Sequence, residues 1–375
     1  MKKSLGIYVH IPFCVQKCRY CDFCSFAGEG EDVKARYGAE LVRRIRAYNG
    51  QVSDYKVDTV YFGGGTPSLM SAGAIEKIMN AVRDTFSVCG SAEITLECNP
   101  ATADREYFSA IRSLGVNRIS MGLQSASDRE LSLLGRIHTV EDFDRTFADA
   151  RAAGFDNISA DLMYGIPDQD RVSLHNSMKH LADLSPEHIS AYGLMVEEGT
   201  YLYRHRQDFC LADDDTQCDM YLDCTEYLAS RGYDKYEISN FCRDGRRSRH
   251  NMRYWLGEEY LGFGVAAHSY FGGYRFGNSC DISAFMSGRD IMEEREEVGD
   301  DGLREEYIML RLRLSDGIDT RDYQHRFGRD FYCDFPIVSD WIKSGLMRQN
   351  KDSISFTDRG IFVSNSLISD MLLKI

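Results

Sequence analysis

The chain has 375 residues, 43% hydrophobic and 27% charged, a globular composition that excludes a disordered or fibrous protein and allows two or three domains. Its 58 acidic and 44 basic side chains give a net charge of −14, which argues against a nucleic-acid binder driven by phosphate contacts. Twelve cysteines are too dilute for a disulfide scaffold of this length. A spaced cluster among them points instead to metal or catalysis in a reducing compartment.

Lys2 and Lys3 precede an apolar run, but three cysteines follow where a signal peptide would need a small-residue cleavage site. No run reaches the roughly 18 apolar residues of a membrane span, so the expectation is a cytoplasmic protein. Strands are predicted over 5–10, 57–62, 92–97, 118–121, 157–161 and 188–192. Amphipathic helices are predicted over 33–48, 72–86, 104–114, 140–153 and 172–184, with Gly115 and Gly154 as stops. This alternation predicts a parallel sheet, partly or fully closed as a β/α barrel. Beyond Glu197 the pattern changes to a helix over 201–231, a strand over 233–241, and turn glycines at Gly262, Gly264, Gly272 and Gly273. Asp300-Asp301-Gly302 reads as a boundary. A small α+β domain follows, with helices over 303–314 and 335–344 and a hairpin over 346–356. The chain thus divides into a core over 1–235, a connecting segment over 236–300 and a domain over 301–375.

Cys14-x3-Cys18-x2-Cys21 directly follows the first strand. Closely spaced thiolates suit a 4Fe–4S cluster wrapped by one loop, with one iron left without a protein ligand. The bland alternatives are a zinc site lacking its fourth ligand or unrelated thiols. Cys24 is open to two readings, an extra ligand or a small buried hydrophobe, and the second is the more economical. Gly63-Gly64-Gly65-Thr66-Pro67 follows the second strand, where glycine lets backbone approach a ligand. Glu97, Asp161 and Tyr192 close strands three, five and six; Gln124 follows strand four, with Arg136 further on. In β/α barrels the C-terminal strand ends form the active site, so these residues are expected to converge on one mouth.

These motifs have a family resemblance. Tyr8-Val9-His10-Ile11-Pro12-Phe13-Cys14, the cysteine triad, Gly63–Pro67 and Ser120-Met121-Gly122-Leu123-Gln124 resemble the radical S-adenosylmethionine (SAM) superfamily, within it the oxygen-independent coproporphyrinogen III oxidase-like group. His250-Asn251-x2-Tyr254-Trp255, Tyr260-Leu261-Gly262-x-Gly264 and Ala267-His268-Ser269 resemble the haem-chaperone branch of that group. The resemblance spans nearly the whole chain. It implies a partial (β/α)6 TIM-like barrel with a small α+β C-terminal domain. It also implies a 4Fe–4S cluster on Cys14, Cys18 and Cys21, with SAM chelating the open iron and cleaved in the family to a 5′-deoxyadenosyl radical. Gly64, Gly65 and Thr66 would meet the methionine part of SAM, and Tyr8, Glu97, Gln124, Arg136 and Asp161 would line it.

Two departures favour chaperone over oxidase. The oxidase pattern carries a fourth cysteine where this chain has Phe23, and it has a longer segment before the triad than the 13 residues here. A haem chaperone needs an iron ligand and counter-charges for propionates. His250 is the candidate ligand, since Arg246, Arg247, Arg249, Tyr254 and Trp255 surround it in sequence. The same run also reads as a basic surface loop with a structural histidine. His268 is expected to be packed in the core, and His10 to be structural or to stand behind the cluster loop. Cys210, Cys218, Cys224, Cys242, Cys280 and Cys333 are expected to be ordinary thiols. The alternatives are the decarboxylating oxidase itself and a radical SAM methylase or tRNA-modifying enzyme. The expected partners are haem and an unidentified acceptor protein, which an acidic chain could meet at a membrane, with no nucleic acid. Monomer and dimer are both open.

Overall fold

A computed structural model describes residues 2–374. Six strands run parallel and side by side in sequence order: β1 (Lys3–Ile11), β2 (Tyr55–Gly64), β3 (Val88–Cys98), β4 (Arg118–Gln124), β5 (Ile158–Tyr164) and β6 (His188–Gly193). Every residue of β4 is buried, as expected of a parallel strand covered on both faces. The crossovers are helices: α1 (Glu31–Arg46), α2 (Ala72–Thr85), α3 (Arg105–Ser113), α4 (Val140–Ala152) and α5 (Arg171–Leu184). Four of them start where a side chain takes a free backbone N–H. Ser71, Asp104 and Asp170 cap in this way, and Thr139 forms a reciprocal box with Asp142.

The sheet does not close. Two short antiparallel strands, β7 (Asp234–Lys235) and β8 (Asn240–Cys242), extend it beyond β6. On the other edge β9 (Tyr260–Phe263) lies parallel to β1, followed by antiparallel β10 (His268–Phe271), β11 (Tyr274–Asn278) and β12 (Met292–Glu297). The result is a twelve-stranded open sheet with a partial (β/α)6 barrel at its centre.

Two expected elements are divided. The helix over 201–231 is a short turn of helix at Tyr201–Arg204 and then α6 (Asp214–Ser230), because Asp213 caps a fresh start by accepting from the Thr216 N–H. The strand over 233–241 is the β7–β8 hairpin, closed where the Tyr236 N–H donates to the Asn240 carbonyl. Helix α7 (Arg249–Trp255) then crosses the N-terminal halves of the barrel strands. The Glu93 carboxylate of β3 accepts from the first backbone N–H groups of α7, Arg249 and His250, at 3.2 and 3.1 Å, where the helix dipole favours an anion. Buried Arg253 pairs with Asp58 of β2 and donates to Ser4 of β1 at 2.8 Å.

A separate core gathers Tyr307, Ile318, Tyr323, Trp341, Ile354 and Met371. It belongs to an α+β unit with a three-stranded sheet ordered Ile318–Asp319, Ser353–Phe356, Met347–Asn350. Helix α8 (Asp300–Arg311) leads into it and packs against α7. Among the described residues, no helix is long and apolar enough to cross a membrane.

Candidate functional site

At the C-terminal ends of the barrel strands lies a cavity of about 330 Å³. Cys14, Cys18 and Cys21 line it from the loop that leaves β1. Gly64, Gly65 and Thr66 line it from the end of β2, and Glu97, Gln124, Asp161 and Tyr192 from the ends of β3 to β6. Arg136, from the loop before α4, completes the wall. Strand register explains the convergence. Glu97 sits opposite Ser120, Gly122 opposite Asp161, and Met163 opposite Tyr192.

The glycines are needed for close approach. A Cβ at Gly65 would lie 2.7 Å from the Phe13 carbonyl oxygen, and one at Gly64, whose φ is +110°, would lie 2.5 Å from the His10 ring. The glycine loop therefore presses on the end of β1 and sets Thr66 beside the cysteine loop, where its hydroxyl meets the Cys14 thiol at 3.7 Å. His10 supports that loop from behind: its Nδ1 meets the Tyr8 hydroxyl and its Nε2 the Cys24 carbonyl, both at 3.0 Å. Gln124 turns at a φ of +73°, and the missing Cβ of Gly122 leaves room for its amide and for Arg136.

Arg136 is the electrostatic hub. Its guanidinium donates to the Cys18 sulfur at 3.6 Å, to the Asn99 carbonyl oxygen at 3.0 Å and to the Gly122 carbonyl at 3.2 Å. Asn99 in turn donates to the Thr66 hydroxyl at 2.7 Å. Sequence reasoning missed Asn99, although it immediately follows β3, where the other site residues sit. It also missed His138, which burial and the adjacent Arg136 push down to about 4. On the opposite wall, Glu97 accepts from the Tyr61 hydroxyl at 2.7 Å and the Gly64 N–H at 3.1 Å. Burial, opposed by those hydrogen bonds and reinforced by Asp161, raises Glu97 to about 7. Burial raises Asp161 to about 6, against the pull of Ser190, Arg118 and Arg136.

Among the described residues, no three His, Cys, Asp or Glu converge tightly enough to hold a single metal ion. The three thiols share one wall of the cavity. A multi-iron cluster spreads its thiolates over several irons, and the Arg136 guanidinium donates to the Cys18 sulfur. The cavity also offers two carboxylates and a guanidinium, complementary to the ammonium and carboxylate ends of an amino acid such as the methionine part of SAM.

Several expectations meet a different arrangement. Tyr8 lies below the cavity, hydrogen-bonded to His10 and stacked on Tyr61 at 6.2 Å. His250 is only 1% exposed, inside the barrel. Its Nδ1 meets the Thr59 hydroxyl at 2.9 Å and its Nε2 the Tyr254 hydroxyl at 2.7 Å, with Tyr61 stacked 5.2 Å away. Burial, then Arg253 and Arg118, hold it down to about 3. Both ring nitrogens are occupied, which corrects the expectation of an accessible haem ligand there. His268 is exposed at the head of β10 rather than packed in the core. Cys24 and Cys280 are neither ligand nor free thiols but a disulfide, with Cα atoms 6.0 Å apart. Cys210, Cys218, Cys224, Cys242 and Cys333 are free, as expected.

Comparison with known proteins gives a consistent family. The radical SAM superfamily profile matches residues 8–181, and the HemN C-terminal domain profile matches 301–363. The chain is 32% identical to a protein named heme chaperone HemW from Bacillus subtilis, over 97% of this chain and 98% of that one. It is 33% identical to the Escherichia coli protein of the same name, over 99% and 98%. Among solved structures, coproporphyrinogen III oxidase (HemN) from Escherichia coli superposes with a TM-score of 0.85 at 22% identity, covering all of this chain and 90% of its own. With the triad, the glycine loop and the open barrel joined to a HemN-type C-terminal domain, the chain belongs to the HemW branch of the radical SAM superfamily.

Proposed function

We propose that this protein is a haem chaperone: it binds haem and passes it to an acceptor protein. Full-length kinship with proteins named heme chaperone HemW carries the reading. The geometry beside the triad supports it. Phe23 stands where the oxidase pattern has its fourth cysteine and lines the cavity with 63% of its surface exposed. The neighbouring Cys24 is tied to Cys280.

In this reading Cys14, Cys18 and Cys21 would hold a 4Fe–4S cluster, with SAM bound beside it against the Gly64–Thr66 loop. When bound, that pair supplies one-electron cleavage of SAM, chemistry that belongs to the cofactors rather than the chain. The chain's own residues position and shield. Arg136 and Thr66 steady the Cys18 and Cys14 sulfurs. Glu97 and Asp161 offer acceptors to a cationic ligand, and the Gly64–Gly65 backbone lets it lie close. The acceptor of haem is a protein, with no role for nucleic acid, and it includes membrane-associated candidates.

The test is hand-over. The reconstituted protein is loaded with haem, passed through a desalting column and mixed with a haem-free globin as probe acceptor. The reading expects retention of haem on the column and then appearance of the globin's own Soret spectrum. Failure to retain haem would overturn it.

A further inference from the structure

The haem-binding reading leaves open where haem sits. The cavity at the barrel mouth is already claimed by the cysteine triad and the SAM-lining residues, and His250 is sealed inside the barrel. A second cavity, of about 390 Å³, opens at the junction of α7, α8 and the helix Thr320–Phe327. It lies on the side of α7, which crosses the N-terminal halves of the strands, away from the cysteine loop.

This second cavity is lined by aromatic, basic and imidazole side chains. One face of α8 lines it: Leu303, Glu306, Tyr307, Leu310 and Arg311, spaced as a single helical stripe. Trp255 enters from the end of α7, and Phe327 stands against Tyr307 with ring centroids 5.4 Å apart. The Tyr254-Trp255 half of the haem-branch motif is thus divided. Tyr254 turns inward to His250, while Trp255 faces this cavity. His325 and Arg326 close the cavity from the last turn of Thr320–Phe327, which Gly328 ends in a left-handed conformation. His325 is exposed, and among the described residues its ring has no hydrogen-bond or ion-pair partner.

The charges are sorted. Glu306 is engaged by Arg275 at 2.6 Å, and Arg326 pairs with Asp322 at 2.8 Å. Among the described residues Arg311 has no carboxylate within ion-pair distance, although its charge is felt by Asp322. It lies over the Tyr307 ring at 5.4 Å, and its Nε is buried without a hydrogen-bond acceptor. As a cation lining the cavity, Arg311 would attract a carboxylate ligand through its guanidinium.

The geometry points to this junction as a haem site, with His325 as the axial iron ligand, Arg311 receiving a propionate, and Trp255, Tyr307 and Phe327 against the porphyrin plane. This rests on the haem-chaperone reading and assigns its cargo site to the seam between barrel and C-terminal domain. A neutral imidazole is a common haem ligand, and a cavity of this size falls in the range of small-molecule sites. An exposed ligand at its edge suits a protein that must release what it carries.

The test is a haem titration of the full-length, cluster-reconstituted protein, followed by its Soret spectrum, with three variants. His325→Ala is expected to weaken haem binding roughly tenfold or more and to lose the imidazole-ligand spectrum, with iron and sulfide content of the cluster unchanged. His325→Cys is expected to retain haem with a thiolate-type spectrum, which a merely structural histidine would not produce. Arg311→Met is expected to weaken binding without changing the ligand spectrum. Wild-type affinity and spectrum in His325→Ala would overturn this site while leaving the chaperone reading intact. Absence of haem binding by the unmodified protein would overturn both.

Discussion

Glu97→Gln is the most informative single change in the barrel mouth, because it separates charge from shape. A glutamate ordinarily titrates near 4.5, and burial raises this one to about 7. The difference makes its ionised form about 3 kcal/mol costlier in the folded protein than in the unfolded chain. Between these two values the folded state binds the extra proton, so stability falls as pH rises from about 4.5 to about 7. Glutamine keeps the shape and one carbonyl acceptor for the Tyr61 hydroxyl or the Gly64 N–H, much as the protonated acid does. The two proteins should therefore be equally stable at pH 4. Above pH 7 the variant should be more stable by up to about 3 kcal/mol. The assay is urea unfolding of the cluster-free protein, read on the barrel transition because a two-domain chain need not unfold in one step. Glu237, also raised by burial, adds the same pH dependence to both proteins and largely cancels in the difference, whereas Asp161, which interacts with Glu97, contributes part of the gap as a coupled pair. A stability gap that stays constant from pH 4 to pH 8 would refute the reasoning.

Cys14→Ser, Cys18→Ser and Cys21→Ser should each abolish cluster assembly, measured as iron and sulfide per chain, whereas Cys24→Ser should retain it. Gly65→Ala places a Cβ 2.7 Å from the Phe13 carbonyl oxygen, so the loop must move. SAM affinity by calorimetry should fall, with a stability cost of about 1–3 kcal/mol. Cys280→Ser removes a cross-link that spans 256 residues. Without reductant, urea unfolding should show a loss of up to about 5 kcal/mol on the chain-entropy argument, and with dithiothreitol the variant and the parent should coincide.

The barrel was legible because its signals are local. Alternating strands and capped helices announce themselves residue by residue, and Glu97, Gln124 and Tyr192 lie at or next to strand ends, with Asp161 a little further inside β5. Helix α7 was not legible in this way. Arg246, Arg247 and Arg249 around His250 look like a solvent face. What pulls the helix inward is Glu93 and Asp58, more than 150 residues earlier. The Cys24–Cys280 pair is hidden for the same reason, since no local pattern links positions 256 apart. Asn99 was missed because its work is relational: it joins Thr66 to Arg136 across two loops. The helix over 201–231 is divided because Asp213 caps a fresh start, with Asp214 and Asp215 in the exposed first turn of the new helix.

The central claim is that this radical SAM fold carries haem rather than decarboxylating a porphyrinogen. The most direct measurement gives the anaerobically reconstituted protein haem in one vessel, and coproporphyrinogen III with SAM and reductant in another. The account predicts stoichiometric haem binding and no protoporphyrinogen. Decarboxylated product without haem binding would contradict it, and would mean that Phe23 beside the triad does not mark a chaperone.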